Sequence, residues 1–255
     1  MAKPKLTIIT INKNNSIGLE KTLSSIHSCC GDRVSVIVVD GNSTDNSEIV
    51  IKKYKNKFKK YLIIYDKKPG IYNAMNFGYS NVDYGYFTFL NSGDSLCDNF
   101  NCEEIFNYFK SYKENCIFYC NINWISSHGS VVRRFRPGEF RKYKLFLGWM
   151  PPHPFLIDYK KLGTHQEKIF DEKLTISADY DYILRRVYVE LCEVVYLKSH
   201  LVLMENGGVS NGSLINIFRA NIQVIKSWNR YTMIPPFYLL ILKPLLKVLQ
   251  KFGLK

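Results

Sequence analysis

Residues 84–90 are aromatic and β-forming, and they end abruptly in residues 91–94, Asn-Ser-Gly-Asp. This order predicts a buried strand that delivers the carboxylate of Asp94 to a turn that glycine permits. Ligands of open α/β sheets bind at the carboxyl ends of the strands. Asp94 is therefore the first candidate functional residue, as a ligand of a divalent cation that holds a diphosphate. A polar turn without further function is the competing interpretation, and it is favoured when this stretch is taken alone.

A second candidate carboxylate is Asp179, in residues 177–188, whose pattern predicts a helix. Asp179 shares a helical stripe with apolar residues one and two turns later, where a carboxylate is partly buried and needs a reason to be there. Asp181 points to a different face of the helix, and Arg185 one turn later is an available partner for it. General-base catalysis and helix capping are the two interpretations of Asp179.

The first hundred residues predict the elements that position Asp94. Runs of β-branched residues predict strands over residues 5–12, 33–40, 61–65 and 84–90, and helical spacing predicts a helix after each of the first three. This alternation favours βαβ units, and hence a parallel sheet with helices on both faces. Polar residues end four successive strands at one edge of that sheet: Thr10 and Asn12, Asp40, Asp66, and Asn91 with Asp94. Four such ends indicate a binding crevice.

The second half of the chain predicts a mixed and less regular structure. The predicted helices cover residues 99–113, 140–147, 177–188 and 214–230, and the predicted strands cover residues 117–124, 131–135, 155–158, 194–197 and 201–206. No internal repeat and no low-complexity linker separates the two halves. A boundary near residue 97 therefore marks a change of role inside one compact body.

Charge and cysteine content restrict the class of protein. The 255 residues carry 35 Lys and Arg against 22 Asp and Glu, a net charge of +13. This excess favours an anionic partner, which is nucleic acid, an anionic membrane or a phosphorylated substrate. Seven Cys, an odd number, and an N-terminus without a signal-peptide pattern favour reduced thiols and a cytoplasmic chain. The Cys spacings do not match the common zinc motifs, so structural zinc is disfavoured.

The last stretch, residues 233–255, is rich in apolar residues and places lysines four apart, at positions 243, 247, 251 and 255. A helix that begins at Pro244 would be amphipathic and too short to span a membrane. We predict that this amphipathic helical tail lies on the anionic cytoplasmic leaflet. Packing of the tail on the protein's own core is an equally open alternative.

Six ordered segments together resemble a known family. They are residues 6–12 (Leu-Thr-Ile-Ile-Thr-Ile-Asn), 38–45 (Val-Val-Asp-Gly-Asn-Ser-Thr-Asp), 70–78 (Gly-Ile-Tyr-Asn-Ala-Met-Asn-Phe-Gly), 91–94 (Asn-Ser-Gly-Asp), 177–181 (Ser-Ala-Asp-Tyr-Asp) and 207–210 (Gly-Gly-Val-Ser). Their order and spacing resemble the inverting glycosyltransferases of family 2. The resemblance implies the GT-A nucleotide-diphospho-sugar transferase fold. It assigns residues 1–97 to the nucleotide-sugar-binding half, 98–212 to the acceptor-binding and catalytic half, and 213–255 to C-terminal helices that contact a membrane surface.

The resemblance also implies roles for polar residues at the sheet edge. Thr10, Asn12 and Asp40 match positions that hold the nucleoside, and Asp40 is suited to accept hydrogen bonds from a uracil or a ribose. Asn76 matches a polar position near the sugar nucleotide. We therefore predict that these four residues contact the donor.

Residues 91–94 stand where the family more often has Asp-x-Asp. This makes Asn91 a donor-binding candidate and Asp94 the retained ligand of a Mn²⁺ or Mg²⁺ ion, which would also bind donor phosphates and water. The chain departs from the family at Lys67 and Lys68, where related members often carry acidic residues. Lys68 is thus a candidate contact of the diphosphate.

On the acceptor side, inverting transfer needs a base that takes the proton of the acceptor hydroxyl. Asp179 matches the family's base. His153, between two prolines, matches a position that faces the acceptor or the leaving group. Residues 207–210 are expected to form a loop that closes over the nucleotide, or a simple turn after a strand.

The resemblance implies transfer of a sugar from a nucleotide sugar, a UDP-sugar, to a lipid-linked saccharide acceptor on polyprenyl diphosphate at the inner face of the cytoplasmic membrane. Such enzymes assemble bacterial O-antigen or capsule, and nucleic acid is not an expected partner. A sugar nucleotidyltransferase is one alternative, although residues 12–15 lack its Gly-rich basic loop. A non-catalytic basic membrane-surface protein is the other, and it leaves Asp94 and Asp179 without a purpose.

Overall fold

A computed structural model of the chain describes residues 5–112, 114–126, 128–146, 149–164, 166–205, 214–231 and 238. The strands are β1 (Leu6–Asn12), β2 (Ser35–Asp40), β3 (Lys60–Tyr65), β4 (Gly85–Phe89), β5 (Ser95–Leu96), β6 (Cys116–Ile125), β7 (Val131–Phe135), β8 (Asp158–Lys160) and β9 (Glu193–Glu205). The helices are α1 (Ser16–Cys30), α2 (Ser47–Lys53), α3 (Ile71–Ser80), α4 (Cys102–Ser111), α5 (Tyr143–Phe146), α6 (Ala178–Leu184) and α7 (Leu214–Tyr231), with a π-helical turn (Arg185–Val189) after α6. None of these helices is long and apolar enough to cross a membrane. The loop predicted at residues 207–210 and the tail predicted at residues 233–255, apart from Tyr238, lie outside the described residues.

The first sheet has the strand order β3-β2-β1-β4-β8, parallel except for β8, which is antiparallel to β4. Its central strands are apolar on both faces, so helices must cover both. Leu6 and Ile8 of β1 face a core that includes residues of α1, α2 and α4. Ile9 faces a second core with residues of α3, α6 and α7. The predicted α/β fold, with a mostly parallel sheet and helices on both faces, is confirmed.

The second sheet is mixed, with the order β5-β9-β6-β7. The predicted hairpin of β6 and β7 is present. Instead of the two short strands predicted over residues 194–206, β9 is one long strand that bulges at residues 198–200, because Leu197 pairs with Cys120 and Leu201 with Asn121. The buried His200 lies in this bulge, with Nε2 2.9 Å from the carbonyl oxygen of Asn101. The polar stretch therefore bulges without ending the strand.

Two other predictions differ from the structure, and one strand was missed. The strand predicted over residues 155–158 begins only at Asp158, because Phe155 has a φ of 55°, a left-handed conformation that a strand does not accommodate. The helix predicted over residues 140–147 shrinks to α5, and the two-residue β5 was not predicted.

The two halves of the chain interlock at β8. This strand belongs to the second half but forms the edge of the first sheet beside β4. Asp158 at its start is 1% exposed, and Arg186 donates to both carboxylate oxygens, Nε at 2.6 Å and Nη2 at 2.8 Å. Such a buried bidentate pair fixes the position of the segment after α6 relative to the sheet.

Candidate active site

Asn12 and Asp40 lie side by side at the carboxyl ends of β1 and β2. The Asn12 amide donates to Asp40 Oδ1 at 2.8 Å and to the Ser47 hydroxyl at 2.9 Å. Ser43 donates from its hydroxyl to Asp40 Oδ1 and from its backbone N–H to Oδ2, both at 2.7 Å. These buried contacts hold the loop between β2 and α2 in a fixed position at the sheet edge.

Four buried side-chain oxygens at the same edge have no hydrogen-bond partner among the described residues. They are Thr10 Oγ1, Asn12 Oδ1, Asp66 Oδ2 and Asn91 Oδ1. Buried polar atoms are nearly always paired in native proteins, so these four oxygens call for partners that the described residues do not supply. Asp66 was not selected as a site residue from the sequence. Its place directly after β3, like that of Asp40 at the end of β2, could have identified it.

The turn that carries Asp94 is held by α1. The Thr22 hydroxyl accepts from Gly93 N–H at 3.0 Å and lies 2.6 Å from the carbonyl oxygen of Asp94. Gly93 has a φ of 102°, and a Cβ at this position would lie 2.6 Å from Glu205 Oε2. Glycine is therefore required here for its backbone conformation and for the approach of Glu205. No sequence pattern indicated a role for Thr22.

Asp94 is 7% exposed, and burial raises the pKa of its carboxyl to about 7, although the N–H of Glu205 donates to it. An ionised carboxylate in this place gains from a neighbouring cation. Within the part of the chain that the structure describes, no three acidic, His or Cys side chains converge on a metal position. Asp94 thus fits a divalent cation that takes its other ligands from donor phosphates and water.

Asp179 and His153, far apart in sequence, meet in the second half of the site. Imidazole Nδ1 lies 2.9 Å from Asp179 Oδ2. The hydroxyl of Tyr72 on α3 lies 2.9 Å from Asp179 Oδ1 and 2.8 Å from the carbonyl oxygen of Ile176. Asp179 is therefore held between the loop that carries His153 and helix α3. Tyr72 was not predicted, because only the fold brings residues 72 and 179 together.

His153 is positioned by a tight turn. Leu156 N–H donates to the His153 carbonyl oxygen at 3.1 Å, and Phe155 N–H donates to the carbonyl oxygen of Phe89 at the end of β4. The Phe155 side chain is fully buried, and its φ of 55° is unusual for a residue other than glycine. A strained turn anchored in this way fixes the direction of the imidazole, a feature typical of functional sites.

The two side chains of this pair shift each other's pKa. Burial favours neutral His153, yet the Asp179 carboxylate, with a contribution from Asp94, raises the pKa of the imidazole above 6.5. Burial likewise favours protonated Asp179, but His153 and the hydrogen bond from Tyr72 lower the pKa of the carboxyl. The Asp179 side chain is 20% exposed and that of His153 44%. The pair therefore carries a salt bridge at pH values below the raised pKa of the imidazole and a neutral hydrogen bond above it.

The two predicted donor contacts Asn76 and Lys68 have different environments. Asn76 accepts from the N–H groups of Ile169 and Phe170 and donates to Phe170 O and Glu172 Oε1, which uses its full hydrogen-bonding capacity. It therefore holds residues 169–172 against α3 and has no group left for a nucleotide. Lys68 is exposed at the end of β3.

Asp181 has a structural role, as predicted, but not with the predicted partner. Arg230 Nη1 donates to its Oδ2 at 3.1 Å, and the Tyr231 hydroxyl lies 3.2 Å from the same oxygen. The partners thus come from α7, whereas Arg185 lies beside Glu190. A contact between two helices distant in sequence replaces the contact within one helix.

Comparison with known proteins identifies the family and the fold. The family described as Glycosyl transferase family 2 matches residues 7–167. A glycosyltransferase of Methanocaldococcus jannaschii is 22% identical over 72% of the chain, and glycosyltransferase GlyA of Streptococcus pneumoniae is 31% identical over 84%. The chain spans 65% of the first relative and 32% of the second.

Among solved structures, residues 1–349 of Staphylococcus aureus TarS resemble the chain with a TM-score of 0.61 at 14% identity, over 88% of this chain and 65% of that one. The same protein in complex with UDP-GlcNAc gives a TM-score of 0.63 over 87% of this chain and 66% of that one. At this identity the likeness concerns the fold, and it confirms the predicted GT-A architecture.

Proposed function

The chain belongs to glycosyl transferase family 2, and on this premise we propose that it transfers a sugar from a UDP-sugar to an acceptor hydroxyl with inversion at the anomeric carbon. The observation that carries the proposal is the cluster of unpartnered buried oxygens and Asp94 at one sheet edge. The Asp179–His153 pair stands in the other half of the same edge. The unpartnered oxygens and Asp94 suit a polar nucleotide-sugar donor. The Asp179–His153 pair suits removal of a proton from the acceptor hydroxyl.

The donor is bound by the ends of β1, β2, β3 and β4. Thr10, Asn12 and Asp66 offer free oxygens for the N–H and O–H groups of a uridine, and the exposed Lys68 is available for a phosphate. A uracil and a ribose supply such donors, which supports UDP as the nucleotide. Structures of the TarS relative with UDP and UDP-GlcNAc support the same choice.

A divalent cation, Mn²⁺ or Mg²⁺, is held by Asp94, with Asn91 Oδ1 as the nearby unpartnered oxygen. When bound, such a cation offsets the negative charge that develops on the departing nucleoside diphosphate. The chain's own contribution is a buried carboxylate in a turn that Thr22 holds rigid. Rigid placement of a charged group is what transition-state stabilisation requires.

The acceptor is a saccharide carried on polyprenyl diphosphate at an anionic membrane surface, as in the synthesis of bacterial surface polysaccharides such as O-antigen or capsule. The net charge of +13 supports an acceptor that bears phosphates. Residues 131–144, in the acceptor half, carry six Lys and Arg against one Glu. Their charge suits the diphosphate of such a lipid and the leaflet around it.

The test is incubation of the purified protein and Mn²⁺ with UDP-, GDP- and dTDP-sugars and a polyprenyl-diphosphate-linked saccharide. We expect one UDP-sugar to be consumed, with a product whose anomeric configuration, measured by NMR, is inverted. Asp94→Asn should abolish consumption, and Asp83→Asn, at an exposed ion pair with Lys60, should leave it unchanged. Consumption of none of the sugar nucleotides would contradict the proposal.

A further inference from the structure

The β6–β7 hairpin stands at the same edge of the molecule as the candidate active site. Glu205, the last residue of β9, donates its N–H to Asp94 Oδ1 at 3.2 Å and pairs with Ile125 at the end of β6. Ile125 pairs in turn with Val131, the first residue of β7. Since neighbouring strands are about 4.8 Å apart, Val131 lies about 10 Å from the strand that contacts Asp94. The start of β7 is therefore close enough to the site to hold the carrier of an acceptor.

The hairpin tip, residues 131–134, combines exposed aliphatic side chains with positive charge. Val131 is 43% exposed and Val132 is 52% exposed. Arg134 beside them is also exposed. Residues 115–138 contain three Arg and no Asp or Glu. Exposed valines next to an excess of positive charge suit a partner that is both apolar and anionic.

Side-chain contacts across the two strands hold the hairpin in shape. Arg133 lies over Trp124 of β6, with its guanidinium carbon 4.3 Å from the ring centroid. Arg136 Nη1 donates to Asn123 Oδ1 at 2.9 Å and to the carbonyl oxygen of Ile122 at 3.2 Å. These contacts join β6 and β7 in addition to their backbone pairing. A surface that is ordered before it meets its partner loses little conformational entropy on binding.

We propose that the hairpin tip is the surface through which the protein docks on an anionic lipid bilayer. Val131 and Val132 enter the interface between the headgroups and the acyl chains, and Arg134 contacts headgroup phosphates. This inference rests on the proposed lipid-linked acceptor and assigns the membrane contact to the hairpin. Docking at the tip brings the strand ends of the candidate active site to the surface on which such an acceptor is carried.

Two other partners fit the tip less well. Strand β7 is the edge of the second sheet, where a second copy of the chain could pair. The arginines of β7 oppose such pairing, because like charges would then lie on neighbouring strands. Nucleic acid would match the charge, but its bases stack on exposed aromatic rings, and the ring of Trp124 lies under Arg133. An anionic bilayer uses both the charge and the valines.

The first experiment is flotation of the full chain, without nucleotide, on vesicles of phosphatidylglycerol and of phosphatidylcholine. We expect the wild type to bind the anionic vesicles more tightly, and to bind them less tightly as salt is added. Arg134→Glu should weaken binding to phosphatidylglycerol about 25-fold, which is about fivefold for each unit of charge. Lys57→Glu, at an exposed lysine after α2, changes the net charge equally and should keep wild-type binding. Equal binding by these two variants would overturn the proposal.

The apolar part of the contact is tested by the double variant Val131→Thr and Val132→Thr. Threonine keeps the branched shape and the strand propensity of valine, so the hairpin should fold as before. We expect binding to phosphatidylglycerol vesicles to fall about fivefold to tenfold, because less apolar surface leaves water. Ile49→Thr, at an exposed residue of α2, is the matched control and should bind like the wild type. Wild-type flotation of the double variant would overturn the proposal.

Two further outcomes would assign the tip to another partner and overturn the proposal. One is sedimentation of the wild type as a dimer that the double threonine variant converts to a monomer. The other is binding of single-stranded RNA that is tighter than binding of phosphatidylglycerol and is lost in Arg134→Glu.

Failure of the proposed function has a different signature from failure of the docking proposal. If only the function fails, the wild type floats on phosphatidylglycerol vesicles but does not bind UDP. If only the docking proposal fails, UDP binding and sugar transfer to a soluble acceptor persist, while the hairpin variants float like the wild type. If both proposals hold, Arg134→Glu raises the KM for an acceptor embedded in vesicles and leaves the affinity for UDP unchanged.

Discussion

The donor edge and the acceptor side of the site are built in different ways. The donor edge is formed by consecutive parallel strands within residues 6–94. The backbone pairing of these strands alone places Asn12 beside Asp40. The acceptor side comes from residues 72, 153 and 179, which only long-range contacts bring together. A regular sheet thus prepares the binding positions, whereas the proton-handling pair depends on an irregular turn and one helix start. Substitutions in the two regions should therefore change different properties: UDP affinity at the donor edge and the rate of sugar transfer on the acceptor side.

The largest expected effect is on the acceptor side. Asp179→Asn removes the charge of the proposed base, and we expect the rate of sugar transfer to fall about 10²- to 10⁴-fold. UDP affinity, measured by calorimetry, should stay at the wild-type value. The matched change at the donor edge is Asp40→Asn, which should weaken UDP binding. Equal loss of UDP affinity in both variants would remove the distinction between the two regions.

The second largest expected effect concerns the buried ion pair at β8, where the two halves of the chain meet. Asp158→Asn leaves the buried Arg186 with only the more exposed carboxylate of Glu190, and we expect the free energy of unfolding to fall by about 3 kcal/mol in urea denaturation. Asp83→Asn, which breaks an ion pair exposed on both sides, is the control and should unfold like the wild type. Unchanged stability of Asp158→Asn would show that β8 does not need this pair to stay in the sheet.

Within the donor half, Gly78 on α3 lies so close to β1 that a Cβ would stand 2.4 Å from Ile9 Cγ2. Gly78→Ala should therefore push α3 off the sheet and lower the free energy of unfolding by about 1–3 kcal/mol. The displacement should also move Tyr72 away from Asp179 and reduce turnover. Ser80→Ala at the exposed end of α3 is the control. A Gly78→Ala protein as stable as Ser80→Ala would contradict the close packing of α3 on β1.

The smallest effect is the pH dependence of stability. The pKa of His153 is raised above 6.5, so its contribution is complete below that pH and is lost as the pH rises through the raised pKa. The pKa of Asp179 is lowered below 3.8, so its contribution is present above that pH and is lost as the pH falls through the lowered pKa. The stability difference between wild type and Asp179→Asn should thus be greatest between about pH 4 and about pH 6.5. The same difference at every pH would show that the pair is not charged.

Sequence reasoning reached the donor half because its signals are local. Apolar runs that end in Thr10, Asn12, Asp40, Asp66 and Asp94 follow from strand chemistry and from the common direction of parallel strands. The observed bounds of the first four strands lie within two residues of the predicted ones. Regular elements repeat their pattern, so a short stretch of sequence is enough to recognise them.

The sequence predicted Asp179 and His153 themselves, but not the long-range contacts around them, and the reason is physical. Whether Asp181 pairs with Arg185 or Arg230 depends on the packing of α6 against α7, which no spacing along one helix reports. The contact of Tyr72 with Asp179 and the saturation of Asn76 by residues 169–172 are likewise tertiary facts. The strand predicted over residues 155–158 was wrong because Phe155 has a left-handed backbone conformation. No sequence pattern predicts this conformation at an apolar residue.

The strand ends are proposed to bind a nucleoside diphosphate through a cation at Asp94, independently of the acceptor side. The most direct measurement is thermal unfolding of the purified protein with UDP, GDP, CMP and dTDP, each with and without Mn²⁺. We predict that UDP with Mn²⁺ raises the unfolding temperature of wild type and of Asp179→Asn, and that Asp94→Asn loses this stabilisation. No shift with any nucleotide, or an equal shift in Asp94→Asn, would contradict the account.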